Sequence, residues 1–472
     1  MTKIQKSVFL VCQPFFLQNY VCKIRLILFL VFTTISCHAI ADDLLEAYRQ
    51  AYFSDYALKQ AQAELQAEFQ DKPLARSTLF PHLGVGASMG ESKANITGFG
   101  NPISEGYPTK NYSVNLVQPI FDGQALAALN QASSRIQAAE SALSYTEQQL
   151  ALNVTTAYFG VLQAYAQNRV MEEQEKLLNS IFRQAEANLQ VGTGDIIAVR
   201  EARSGLDVAN ADLIKSRNAL AVAQHALKRL THHSIGNLDD LGYFKALGPQ
   251  PDKLQPWVSM AIKSQPLIHQ AKAQLRTAQE QVIYERRKRW PKVNLQAFAS
   301  HSLGFPFPGV IFNQVGVSVN LSMSVYEGGS ISASVEQSQA QALAMADHLG
   351  SLRDEITLNT QTAFLNLENS VAELKAANES VASAKISLDA TRKGYEVGVR
   401  SIIDLLSTAT DYIRARQNYS LARYSQVMAR IQLRAAAGVL NMADLESVNA
   451  MLDKEVKMNR PAPSPVFTPE EQ

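Results

Sequence analysis

Hydrophobic and polar positions along this chain repeat one order twice: a helical stretch, two alternating segments, then a very long run of helical periodicity. Leu83, Val85, Ala87 and Met89 alternate with Gly84, Gly86 and Ser88, and Tyr112, Val114 and Leu116 alternate with Asn111, Ser113 and Asn115. In the second half Val293, Leu295, Ala297 and Ala299 alternate with Asn294, Gln296, Phe298 and Ser300. Val315, Val317, Val319 and Leu321 then alternate with Gly316, Ser318, Asn320 and Ser322. A period of two with apolar residues on one side predicts β-strands. After each strand pair the spacing becomes sevenfold, as in Leu143, Leu150, Ala157, Ala164, Met171, Leu178 and Ala185, answered by Leu206, Leu213, Leu220 and Leu227. The second half repeats this with Leu367, Leu374, Val381, Leu388 and Tyr395, answered by Ala415, Ala422, Ala429 and Ala436. Such repeats predict supercoiled helix pairs whose alternating large and small residues permit close approach. Proline is absent from Ile120 to Gly248 and from Gly309 to Arg460, so the helices are long. One running from Gln124 to Gln190 would extend roughly 100 Å.

The two halves align. Phe80-Pro81 meets Trp290-Pro291, Phe121-Asp122-Gly123 meets Tyr326-Glu327-Gly328, and Val191-Gly192 meets Val397-Gly398, at offsets that stay between 205 and 210. This predicts a duplicated unit. The first repeat spans 42–245, with a helix at about 42–72, a strand pair at 82–120 and a hairpin tip near 192. The second spans 246–445, with a helix at about 256–289, a strand pair at 291–326 and a tip near 398. Gly192, Gly194 and Gly398 are the turn residues at the tips. Residues 446–472, ending in a proline-rich tail, read as disordered.

The strands suit either a half-buried soluble sheet or a membrane barrel that is apolar toward lipid and polar toward a lumen. Phe80, Phe121, Trp290 and Tyr326 stand at equivalent strand ends, where an interfacial aromatic girdle belongs. In the barrel reading four strands cannot close, and open edges are not tolerated in hydrocarbon, so several chains must combine. Three chains give twelve strands. The basic run Arg286-Arg287-Lys288-Arg289, just before Trp290, is placed for either a solvated helix end or contacts with lipid headgroups.

Composition adds a leader. Lys23 and Arg25 precede the apolar run Leu26 to Phe32 and the small-x-small site Ala39-Ile40-Ala41, so residues 1–41 read as a signal peptide. All three cysteines, Cys12, Cys22 and Cys37, lie within it, which removes disulfide and thiolate-metal chemistry from the processed chain. Cys37 is an alternative lipid-attachment position, with Thr34 where such sites usually carry Leu. Without the leader, 40 basic residues face 43 acidic ones, and no concentrated basic surface calls for nucleic acid. The chain carries no G-x-S-x-G, phosphate loop, H-E-x-x-H or cysteine pair, so nothing points to an enzyme or a cofactor. Adjacent His232 and His233 point apart and make a poor metal pair.

Phe80-Pro81-His82-Leu83, Gln118-Pro119-Ile120-Phe121-Asp122-Gly123, Val191-Gly192-Thr193-Gly194-Asp195 and the run Gly394 to Leu406 resemble the TolC family of bacterial outer-membrane efflux channels. The resemblance covers the processed chain to about residue 450. It implies a mainly α fold with a membrane β-barrel: a homotrimer with a twelve-stranded barrel in the outer membrane and long coiled-coil hairpins forming a periplasmic α-barrel. A mixed belt from the inter-repeat and C-terminal segments would surround the helices. It further implies a passive exit duct of a tripartite efflux or type I secretion system, docked through its tips to a periplasmic adaptor (membrane fusion) protein and an inner-membrane RND, ABC or MFS transporter. Tyr395 and Arg400 fall on the family's latch positions and Asp404 on its inner acidic ring. Ser407 replaces a second acid and Ile197 and Ala198 replace polar latch partners, which points to a less acidic constriction and a latch wired differently, through Asp195. The rival reading is a periplasmic coiled-coil adaptor or scaffold, which would not carry two aromatic-bordered strand hairpins.

Overall fold

The computed structural model describes residues 43–96, 103–233, 238–242, 246–304 and 309–457. The leader over 1–41, with Cys37, lies outside them. In chain order the elements are α1 (Leu44–Ser54), α2 (Tyr56–Ser77), β1 (His82–Ile96), β2 (Ile103–Phe121), α3 (Gly123–Gln190), α4 (Ile196–Thr231), β3 (Asp239–Leu241), α5 (Leu254–Ser264), α6 (Pro266–Arg286), β4 (Lys292–Leu303), β5 (Ile311–Ser322), α7 (Ser330–Glu396), α8 (Ile402–Ala436), α9 (Met442–Asn449) and β6 (Leu452–Lys457).

The duplication is visible in element lengths. The outgoing hairpin arms α3 and α7 have 68 and 67 residues, and the return arms α4 and α8 have 36 and 35. The expected single helix at the head of each repeat is instead two helices. Asp55 interrupts the first, and its carboxylate caps α2 by accepting the Leu58 N–H at 2.8 Å. Gln265 interrupts the second, 210 residues on, and Pro266 opens α6 where its missing N–H is harmless. Both breaks let the chain turn around the helices it packs on.

Heptad positions supply the core. Leu150, Met171, Leu178 and Ala185 of α3 are buried, as are Leu206, Leu213, Leu220 and Leu227 of α4. Each buried leucine contributes about 1.5–3 kcal/mol. One polar contact punctuates this seam: buried Ser216 donates to Asn168 Oδ1 at 3.0 Å, a pairing that only one helix register satisfies.

The strands form one antiparallel sheet in the order β1-β2-β4-β5, two hairpins set side by side. Leu83 pairs with Leu116, which pairs with Ala297, which pairs with Val317, so one face is a continuous apolar band. The other face carries Gly84, Asn115, Phe298 and Gly316 in the adjacent row. A bulge between Pro119 and Phe121 ends the β2–β4 pairing beside the helices. The apolar face is uncovered within the chain: Val85 is 81% and Val315 83% exposed. Among the described residues, strands β1 and β5 each lack a neighbour on one side. Among the described residues no helix is long and apolar enough to cross a membrane.

A second, two-stranded sheet corrects the expectation for the C-terminal segment. Residues 446–457 are not disordered: they complete α9 and form β6, which pairs with β3 from the inter-repeat segment. The rest of the tail lies outside the described residues. This belt is bolted to the hairpins by buried polar contacts. Tyr158 donates its hydroxyl to the Asp239 carbonyl at 3.0 Å, Tyr424 donates to Asp240 Oδ1 at 2.8 Å, and Arg423 donates to the Leu241 and Gly242 carbonyls. Burial first, and then the neighbouring acids, push both tyrosine hydroxyls well above their ordinary pKa, so they remain protonated donors.

Candidate functional site

Both hairpins end in the same turn. Gly192 and Gly398 each have φ +76°, the left-handed region that glycine enters without strain. In the first tip the Gly192 N–H bonds the Leu189 carbonyl and Thr193 N–H the Asn188 carbonyl. In the second, Gly398 bonds Tyr395 and Val399 bonds Gly394. These are paired Schellman caps.

The tips differ in how they solve one crowding problem. A Cβ on Gly194 would lie 2.9 Å from the Asn188 Cβ, and one on Gly394 would lie 2.7 Å from the Arg400 Cγ. Positions 188 and 394 are equivalent, as are 194 and 400. The close approach requires a glycine on one side of it, and the two tips place that glycine on opposite sides. The second tip can therefore carry Arg400, whose exposed side chain lies across Gly394.

Each return arm starts on a polar cap. Asp195 accepts the Ile197 N–H at the head of α4, which gives its carboxylate a capping role. Ser401 and Asp404 form a capping box at the head of α8: Ser401 Oγ accepts the Asp404 N–H at 3.1 Å, and Asp404 Oδ2 accepts the Ser401 N–H at 3.1 Å. The pattern S-x-x-D, three residues past the turn glycine, is a readable signature that the gate reading of Asp404 passed over. The hydrogen bonds from Ser401, and then the nearby Arg400 charge, hold the Asp404 carboxyl below its ordinary range.

Above the tips all four arms meet. Leu178, Ile181 and Ala185 pack with Ala202, Leu206 and Ala209, with Leu388, and with Ile402, Leu405 and Ala409. Tyr395 and Ala198 pack against this cluster, whereas Ile197 is exposed. Apolar packing thus joins the four arms just above the tips. A charged tie stands further up: Arg416 Nη2 donates to both carboxylate oxygens of Glu173, at 2.9 and 3.2 Å, linking α8 to α3. Nothing in the local sequence announces that pair, whose members are 243 residues apart.

At the other end, where helices meet the sheet, the aromatics are organised unevenly. Phe121 and Trp290 stack at 6.1 Å with an interplanar angle of 13°. Arg287 lies 5.1 Å over Trp290 and donates to the Gly123 carbonyl at 3.0 Å, and Arg76 lies 5.2 Å over Phe80. Gly123 is needed here, because a Cβ would lie 2.7 Å from Trp290 Cε3. Tyr326 departs from expectation: β5 ends at Ser322, and Tyr326 sits in the following loop. The basic run is also more occupied than expected. Besides Arg287, Lys288 pairs with Glu285 at 2.7 Å and Arg289 donates to Ser332 Oγ at 2.8 Å, while Arg286 is exposed. Asp122 caps α3 and also pairs with Lys292 at 3.3 Å, tying the two repeats together.

A profile of the outer membrane efflux protein family matches residues 47–232 and 257–439, one segment in each half. The chain belongs to the outer membrane efflux protein family. It is 28% identical to the outer membrane protein TolC of Escherichia coli K12, across 89% of this chain and 87% of that protein. It is 27% identical to the alkaline protease secretion protein AprF of Pseudomonas aeruginosa, across 87% of this chain and 88% of that one. Among solved structures, the outer-membrane channel OprN superposes with a TM-score of 0.75 at 16% identity, covering 84% of this chain and 89% of that one. The outer membrane protein VceC of Vibrio cholerae gives 0.75 at 16% identity, covering 84% and 97%. The family is one of outer-membrane efflux channels, and this member is an outer-membrane exit duct.

Proposed function

We propose that three copies of this chain close their four-stranded sheets into one twelve-stranded barrel across the outer membrane, with the hairpins continuing the duct through the periplasm. The observation that carries this reading is the sheet itself: an uncovered apolar face and two unpaired edges, β1 and β5, which hydrocarbon does not tolerate. Joining β1 of one copy to β5 of the next removes every edge. The tips around Gly192, Gly194 and Gly398 dock a periplasmic adaptor, and the second-repeat tip, with Tyr395, Arg400 and Asp404, narrows the entrance. In this reading the chain performs no bond chemistry. Energy comes from an inner-membrane RND, ABC or MFS transporter, and the cargo is drugs or secreted proteins.

The experiment is extraction. Protein taken from the outer-membrane fraction in mild detergent should run as a trimer by light scattering. A monodisperse monomer that keeps its full strand content in detergent would defeat the barrel.

A further inference from the structure

A pocket opens between the inter-repeat segment and the root of the second hairpin. Residues 247–250 wall a cavity of about 130 Å³ whose apolar lining is Trp257, Leu367 and Leu433. Those three side chains belong to one packed cluster, and Trp257 is fixed by the bond from its Nε1 to the Pro251 carbonyl at 2.9 Å. Arg430 and Arg434, one turn apart on α8, complete the lining. Arg434 pairs with Asp444. Arg430 has no carboxylate partner among the described residues and donates only a long hydrogen bond, 3.4 Å, to Ser447 Oγ. The pocket therefore joins an apolar hollow to an uncompensated guanidinium. Its volume is close to the roughly 150 Å³ that holds a benzene molecule in an apolar protein cavity.

We propose that residues 467–471 of the same chain dock in this pocket, with the Phe467 ring against Trp257, Leu367 and Leu433 and with Glu470 and Glu471 facing Arg430. The chemistry is complementary: one aromatic residue, then two acids a few positions on, against one ring-sized hollow and one unpaired cation. The reach is sufficient. Ten residues separate Lys457, the end of β6, from Phe467, roughly 31 Å in extended polyproline form at about 3.1 Å per residue. Arg423, which holds the Leu241 carbonyl at the end of β3, stands seven residues before Arg430 on α8, about 10 Å along the helix. Pro461, Pro463 and Pro465 in the connection restrict the undocked segment, so docking costs less ordering entropy. Because the pocket is built from α5, α7 and α8, the docked segment staples the root of the second hairpin to the belt.

The test is disulfide trapping in the full chain, with Cys12, Cys22 and Cys37 changed to Ser so that the introduced thiols are the only ones. Gln250→Cys, on the exposed wall of the pocket, and Thr468→Cys are combined and oxidised in mild detergent. The pair should close within one chain, giving a shifted monomer on a non-reducing denaturing gel. Phe467→Ala should slow closure about tenfold, the cost of losing a buried ring. Arg430→Glu should slow it about fivefold, and adding Glu470→Arg and Glu471→Arg should restore the rate, which a merely misfolded Arg430→Glu chain would not do. Closure that is indifferent to both Phe467→Ala and Arg430→Glu overturns docking in favour of chance encounter. Disulfides that join two copies assign the pocket to a neighbour's segment and overturn docking within the chain, and failure of the pair to close overturns it outright.

Discussion

The Asp404 carboxylate caps α8, and the hydrogen bonds of that cap hold it below its ordinary range, so its place at the second tip follows from how the chain turns back. Its folded pKa is depressed, so the contribution to stability is present above the ordinary carboxylate value and is lost as pH falls through the folded one. Three such charges near a threefold axis would attract cations, and Asp404→Asn should reduce cation preference in single-channel recordings without opening the channel. The tip glycines make a second prediction. A β-branched residue at Gly398 is strained on the order of 1–3 kcal/mol by its left-handed backbone. Gly398→Val should therefore impair transport while trimers still form, and unchanged efflux by a well-expressed variant would show the turn is dispensable. Gly394→Asn should loosen the second tip by colliding with Arg400. Adding Arg400→Gly, which rebuilds the first tip's arrangement, should restore it. Hydrogen exchange at the Val399 N–H, bonded to the Gly394 carbonyl, reads this directly, and additive effects of the two changes would contradict the proposed exchange of glycines.

At the scale of elements, the long arms, the tips and the strand alternation were legible because each follows from one local periodicity. The interruptions at Asp55 and Pro266 carried readable signals, an N-cap acid and a proline at a first helical position, yet composition over a wide window hid them. Strand β6 was not legible. Its sequence, Leu452 to Lys457, is mostly charged, and its partner β3 lies more than 200 residues away, so only tertiary pairing makes it a strand. The Arg416–Glu173 pair was invisible for the same reason. The belt those strands build yields a test of its tyrosine anchors. Free tyrosine ionises near pH 10. With the folded value raised, the unfolded chain loses the proton first, so stability falls as pH rises above about 10. Tyr424→Phe should reduce stability at neutral pH by about 1–3 kcal/mol, because it removes a donor from buried Asp240. It should also flatten the alkaline decline seen in thermal unfolding between pH 9 and about 11.5. An identical alkaline slope in the variant would mean the hydroxyl is not held as described.

For the whole molecule, duplication does the organising. Two equivalent units give two hairpins of nearly equal length and two strand pairs, joined where Asp122 of one repeat meets Lys292 of the other. What one chain leaves unfinished among the described residues, an uncovered apolar face and two open strand edges, is what the proposed ring of copies in a membrane would complete. The central claim is that this ring conducts. Purified trimer reconstituted in a planar bilayer should give discrete, uniform conductance steps with a cation preference that weakens in 1 M salt, where screening acts within about 3 Å. Folded trimer that inserts into the bilayer and passes no current under any gating variant would contradict it.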